Sequence, residues 1–335
     1  MSLETDPLIL APFQIEPAFD ERIWGTPDLR PWYDHVTTAG ETPIGEVWLT
    51  GDQCRVATGE LAGRSLGEVF AENSEAMLGP GIPDWIEGQS PLLLKVLFAK
   101  EKLSVQVHPD DRLAQKYGFP RGKTECWYAL AAEPEAAVAA GLLPSVTLDQ
   151  IEAEVADGTL EKSLNVLPVV AGDMIFVDAG TVHAIWPGSV LLETQQNSDL
   201  TYRLFDYGRP RELHVAKAIE ATRLKTAAGK IAPKVFADRT VLIESTYFSV
   251  EKVSVEGTRT GSSLQCAPGL QYLFAAAGSG RIEPAGAAKF DAVELPTRGV
   301  VAIPASSPAW EVVDVGGLEL IRIAPRFPVA AEGGA

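Results

Sequence analysis

What most constrains this chain is that its apolar runs stay short. PLLLKVLFAK (91–100), LSVQVH (103–108), TECWYAL (124–130), GDMIFVDAG (172–180) and SVLLETQQ (189–196) each have the length of one strand, and turns rich in glycine, proline or charge separate them. The pattern resumes in YFSVEKVSV (247–255), LQYLFAAAGSG (270–280), RGVVAIPASSPAWEVV (298–313) and LELIRIA (318–324). Many short strands with regular turns predict a mainly β chain built on jelly-roll barrels. Helix signals are fewer. Ser65 and Gly79 bracket one helix, DDRLAQKYG (110–118) forms a short one, and Thr147 caps another that ends near Gly158. TLEKSLN (159–165) and RELHVAKAIEAT (211–222) read as two more.

The strand period places chemistry on particular faces. In a strand over 103–108, Ser104, Gln106 and His108 share one face and Leu103, Val105 and Val107 the other. Lys123, Glu125 and Trp127 share a face in the same way, and His183 follows the tight turn at Gly180. Two of the four histidines thus fall on strands that also carry a glutamine and a glutamate. Gln106, His108, Glu125 and His183 pointing into one cavity would hold a divalent metal, since zinc accepts imidazole nitrogen and carboxylate or amide oxygen. The plain alternative is four unrelated polar side chains. Lys95, inside an apolar run, is costly to bury unless its amine is paired or meets an anion. His35 and His214 fit no pattern and read as structural or exposed.

Composition excludes some partners. The formal net charge is −17, which argues against nonspecific nucleic-acid binding and requires a local basic pocket for any anionic substrate. Three dispersed cysteines, Cys54, Cys126 and Cys266, suit a reduced, cytoplasmic protein. No apolar run approaches the ~20 residues of a membrane span, and the first residues lack the basic start of a signal peptide. The tail AAEGGA is expected to fray.

The segments QVHPDD, GKTECWY, AGTVHAI and TYRLFDY, in this order, resemble the type I (cupin) mannose-6-phosphate isomerases in their short bacterial form. The resemblance runs from IWG near Ile23 to the strands near Ile323. It implies one zinc ion per chain held by Gln106, His108, Glu125 and His183. It also implies a catalytic group of Arg203, Lys123 and Glu193, and substrate contacts from Lys95, Ser104, Asp199 and Arg209. The implied reaction interconverts mannose 6-phosphate and fructose 6-phosphate through a cis-enediol. A metal-dependent cupin oxygenase and a sugar-binding cupin without turnover are the alternatives. WGT at Trp24–Thr26 departs from the WGG of many relatives.

An internal repeat supports two cupin barrels. Gly172–His183 reads G-x5-D-A-G-x-x-H, and in GVVAIPASSPAW from Gly299 the segment PASSPA can be laid over DAGTVH, with Ala309 at the position of His183. The expected layout has residues 1–130 and 166–215 in a first, catalytic barrel. Residues 131–165 form a helical insertion, 216–240 a helical connection, and 241–335 a second barrel without metal.

Overall fold

A computed structural model of the chain describes residues 8–83, 86, 88–255, 257–260 and 269–327. The first seven residues, Cys266 and the AAEGGA tail, all read above from sequence, lie outside the described residues.

The chain divides into two compact units. One holds the chain up to Ala18, Leu49–Leu92 and the chain from Pro233 on; the other holds Phe19–Trp48 and Leu93–Ala232. The expected layout put residues 49–92 with the first barrel; here they group with the C-terminal strands, and the Ala305 and Ser306 N–H groups donate to the Met77 and Ala76 carbonyls. In the first unit, β1 (Phe13–Ile15) pairs antiparallel with Val300–Ile303 at the edge of a seven-stranded sheet. A four-stranded sheet shares its core, with Leu273 and Val301 packed in one cluster with Ile282, Val312 and Trp310. Helix α1 (Leu66–Leu78) begins as predicted at Ser65, whose side chain and Glu68 form a reciprocal cap, and stops at Gly79.

The other unit carries β2 (Ala18–Thr26), β3 (Ile44–Trp48), β4 (Leu92–Ala99), β5 (Val105–Val107), β6 (Glu125–Ala132), β7 (Ala137–Leu142), β8 (Leu164–Pro168), β9 (Met174–Val177), β10 (His183–Ile185), β11 (Ser189–Gln196), β12 (Tyr202–Phe205) and β13 (Gly229–Lys230). They form a seven-stranded sheet, β13-β9-β6-β11-β4-β3-β2, and a five-stranded sheet, β12-β5-β10-β7-β8. Strand β4, continuously apolar, is buried along its whole length between β11 and β3. Trp127, Ile175 and Leu191 of the larger sheet pack in one cluster with Val138 and Ile185 of the smaller. The outer face of the smaller sheet is covered by α3 (Leu148–Asp157) and α4 (Val215–Ala221): Val105, Val107, Tyr202 and Leu204 pack with Ile151 and Ala218. A short helix, α2 (Asp111–Lys116), follows β5.

The sheets are open, and no closed barrel is found among the described residues. The fold is mainly β. The stretch 131–165 is only partly helical: it holds α3, capped by Thr147 and ended by Gly158 as predicted, but also β7 and the start of β8, which belong to the five-stranded sheet. TLEKSLN forms a single 3-10 turn, Leu160–Ser163, and then enters β8.

Candidate active site

The five-stranded sheet sets a row of three side chains. On β5, Gln106 stands opposite His183 of β10 on one side and Arg203 of β12 on the other. Because Val105 and Val107 are committed to the helix-covered face, the two-residue period of the strand turns Gln106 the other way. His108 follows the strand and is tied to the turn before β10, where the Gly180 N–H donates to the His108 carbonyl at 2.8 Å. That turn needs glycine. Its φ is +89°, and a Cβ there would lie 2.7 Å from Arg223 Cγ. On the facing sheet, Glu125 of β6 pairs with Gln195 of β11, and Trp127 with Glu193. Lys95 of β4 pairs with Trp48 of β3.

His108, Glu125 and His183 bring their ligand atoms within 4.8 Å of one another, and all three residues are buried. The tautomers follow from their partners. Nδ1 of His108 lies 2.8 Å from the Leu200 carbonyl oxygen, and Nδ1 of His183 lies 2.9 Å from that of Thr181. A carbonyl only accepts, so both protons sit on Nδ1. Burial, with Lys123 adding to it, keeps both rings neutral: His183 is pushed down to about 4 and His108 well below its ordinary value. Each Nε2 then carries a lone pair and no proton, and the two lie 3.6 Å and 3.4 Å from the two oxygens of Glu125. His108 Nε2 and Glu125 Oε1 have no hydrogen-bond partner among the described residues. Two lone pairs and a carboxylate, buried together with no proton between them, form a donor set for a cation. Nδ1 contacts to carbonyls are also how metal-ligating histidines are commonly oriented.

Gln106 stands beside this triad, with its amide nitrogen 3.2 Å from His183 Nε2 and its oxygen accepting from Ser104 Oγ at 3.2 Å. Above it opens a cavity of about 260 Å3 whose lining includes Ser104, Gln106, Lys123, Glu193, Asp199 and Arg203. Five cationic side chains line it against three carboxylates, a local positive surplus in a strongly acidic chain. Lys95 sits among Glu46 at 3.2 Å, Asp199 at 3.6 Å and Glu193 at 3.8 Å, which answers the cost of burying it. Lys123 is 2.8 Å from Glu125 and 3.9 Å from Glu193. Burial opposes its charge, but the two carboxylates outweigh burial and hold the amine above its ordinary value. Glu193 is raised chiefly by burial, against the opposing pull of Lys123, and its second oxygen accepts from Trp127 Nε1 at 3.0 Å.

The structure therefore gathers ten of the eleven residues expected at the site. Arg209 is the exception. It does not line the cavity, because its guanidinium is held by Glu101 at 2.9 Å, the Lys102 carbonyl at 2.7 Å and Asp206 at 3.5 Å. Leu103 also departs from expectation. It precedes β5, bonds through its N–H to the Ile185 carbonyl, and packs in the inner cluster. His35 stacks on Phe19, and His214 stands at the start of α4 with its Nδ1 accepting from the Arg203 N–H at 3.3 Å. Sequence reasoning passed over Arg22, Glu46 and Arg211, which also line the cavity. Only Glu46 carried a signal, as one of the alternating residues of β3.

Residues 12–147 match the family model described as phosphomannose isomerase type I, catalytic domain. The probable mannose-6-phosphate isomerase GmuF of Bacillus subtilis is 35% identical over 289 residues, covering 81% of this chain and 87% of that protein. A crystal structure of the mannose 6-phosphate isomerase from Bacillus subtilis is similar at a TM-score of 0.80 and 30% identity, covering 94% of this chain and 99% of that one. A zinc-bound mannose 6-phosphate isomerase shares the fold at a TM-score of 0.74 and 17% identity, covering 95% of this chain and 100% of that one. With this architecture, this donor set and relatives matched over most of their length, the chain belongs to the type I mannose-6-phosphate isomerase family.

Proposed function

We propose that the chain interconverts mannose 6-phosphate and fructose 6-phosphate through a cis-enediol, using one zinc ion held by His108, Glu125 and His183, with Gln106 beside them. The observation that carries this reading is the pair of neutral imidazoles whose Nε2 atoms face a buried carboxylate beside the cavity, that of His108 without a hydrogen-bond partner among the described residues. When bound, zinc supplies a Lewis acid toward the sugar's carbonyl and hydroxyl oxygens. The chain's own residues do the rest. The reaction moves a proton between C2 and C1, so a group must take it and return it. Lys123 and Glu193, which both line the cavity, are the proton-handling pair, and burial lifts Glu193 toward the range in which a carboxylate accepts a proton. Arg203, fixed by strand pairing next to Gln106, stays cationic and steadies the developing enediolate. Lys95, Ser104 and Asp199 line the cavity and are read as binding the sugar phosphate.

The double-cupin reading belongs to the same proposal, with each unit's pair of sheets as one barrel and the unit holding β2 to β13 as the catalytic one. Ala309 stands where the repeat would put a histidine in the other. A reduced, cytoplasmic setting suits the sparse cysteines, and no helix among the described residues is long and apolar enough to cross a membrane.

A coupled assay with mannose 6-phosphate on metal-defined protein tests the reaction, and metal analysis separates zinc from the redox metal an oxygenase needs. Arg203→Ala is expected to lower kcat roughly 100- to 1000-fold with zinc content unchanged. An unaltered kcat removes Arg203 from the mechanism, and loss of zinc marks its role as structural.

A further inference from the structure

His214, a histidine that fits no sequence pattern, stands against Arg203. Strand β12 is an edge of its sheet and pairs with β5 on one side only among the described residues. An antiparallel ladder alternates residues whose backbone groups turn toward the neighbouring strand with residues whose groups turn away. On an edge strand the outward groups need another partner. At Arg203 both go to His214. The His214 N–H donates to the Arg203 carbonyl at 2.7 Å, and the Arg203 N–H donates to His214 Nδ1 at 3.3 Å. One residue thus replaces a further strand, with a ring nitrogen in the place of a carbonyl oxygen. The same segment supplies a third bond, since the Glu212 carbonyl accepts from Arg203 Nη1 at 3.0 Å.

The bond to Nδ1 fixes the tautomer. A backbone N–H only donates, so Nδ1 of His214 carries no proton and the ring N–H is at Nε2, which faces the Glu212 carboxylate at 3.7 Å. His108 and His183 hold the opposite tautomer, because carbonyls stand at their Nδ1 atoms. The ring of His214 is itself placed from two sides. It lies against Tyr202, with ring centroids 6.2 Å apart, and its residue's carbonyl accepts from the Ala218 N–H at 2.8 Å in the first turn of α4. That helix is anchored by Ala218 and Ala221, which pack in one cluster with Tyr202. The ring makes no bond to the helix it precedes, so its hydrogen-bonding capacity is committed to β12. The guanidinium of Arg203 has few other anchors. Its Nε has no partner among the described residues, and burial together with the field of Arg211 opposes its charge. We propose that His214 is the positioning residue of Arg203: it locks the backbone of residue 203 at the sheet edge and, with the Glu212 carbonyl, aims the guanidinium into the cavity. The effect on turnover rests on the isomerase reading; the clamp on residue 203 does not.

The test uses zinc-loaded protein and two readouts: steady-state kinetics with mannose 6-phosphate, and amide hydrogen exchange resolved at residue 203. Two variants separate the acceptor from the ring. His214→Phe keeps a ring against Tyr202 and removes the acceptor; His214→Asn removes the ring and keeps an oxygen where Nδ1 stood. His214→Phe is expected to lower kcat about 10- to 100-fold, with KM within a few-fold and zinc unchanged, because a small misplacement of a stabilising group is costly. The Arg203 N–H is expected to exchange roughly 10-fold faster in that variant, and His214→Asn to recover both values to within a few-fold. Introduced into Arg203→Ala, His214→Phe is expected to add no further loss, since it acts only through Arg203. An unaltered kcat in His214→Phe beside a crippled Arg203→Ala overturns the proposal. So do equal losses in the Phe and Asn variants, or a full loss that persists without Arg203, because each marks a role in packing alone. If wild type isomerises nothing, or Arg203→Ala keeps its kcat, the role given to Arg203 falls. Hydrogen exchange then decides the clamp by itself: faster exchange in His214→Phe sustains it, and equal exchange overturns it.

Discussion

His108 and His183 are poised by backbone carbonyls, so side-chain substitution can remove them but cannot easily retune them. His108→Ala or His183→Ala is expected to release the bound ion from purified protein, measured by atomic emission; full occupancy in the double variant would sink the donor set. A second residue-scale consequence concerns Glu46. Burial raises its pKa, but Lys95 and Arg22 outweigh burial and, with Trp48 Nε1 donating at 2.7 Å, bring it down to about 2 from an ordinary 4.5. A carboxylate depressed on folding stabilises the native state fully above its unfolded value, and that contribution is lost as pH falls through 4.5 toward 2. Its size is roughly 3 kcal/mol. Denaturant unfolding of wild type and Glu46→Gln between neutral pH and pH 2 is expected to converge on the acid side. A difference that stays constant with pH would show that the charge of Glu46 is not what matters.

At the scale of elements, the site is made by short strands and one turn. Gly180→Ala combines a strained backbone with a clash against Arg223, and it loosens the bond between the β10 turn and the His108 carbonyl. The expected cost is about 1–3 kcal/mol, with weaker zinc retention, read by thermal unfolding and by competition with a chelator. Unaltered retention in a folded Gly180→Ala variant would uncouple the turn from the ligands. These elements were largely legible in the sequence, because a two-residue period and helix caps are local signals: Gln106 faces inward and Ser65, Thr147 and Gly158 bound their helices as read. Leu103 was misread because the period was applied two residues before the strand begins. The turning of Arg209 away from the cavity was illegible because nothing in RPRE says that Glu101 and the Lys102 carbonyl will capture its guanidinium. The grouping of Leu49–Leu92 with the C-terminal strands was illegible for a related reason, since it depends on partners more than 200 residues away.

For the whole molecule, the ligand cluster found among the described residues lies in one unit, and zinc-type metal is expected at about one per chain. Removing it with a chelator is expected to lower Tm, since an ion that binds only the folded state adds stability by mass action, and adding zinc back is expected to restore it. A second tightly held ion would contradict the view that the repeat carrying Ala309 has lost its metal. The chain passes between the units at Ala18–Phe19, Trp48–Leu49, Leu92–Leu93 and Ala232–Pro233, so neither unit is a continuous segment. This has a consequence for how the protein is made. Strand β1 leaves the ribosome long before its partner Val300–Ile303. At the roughly 5–20 residues per second of synthesis, β1 waits on the order of a quarter of a minute to a minute for its partner. The unit that holds His108, Glu125 and His183 has all its residues once Ala232 is out, so it can complete its fold while the remainder is still being translated.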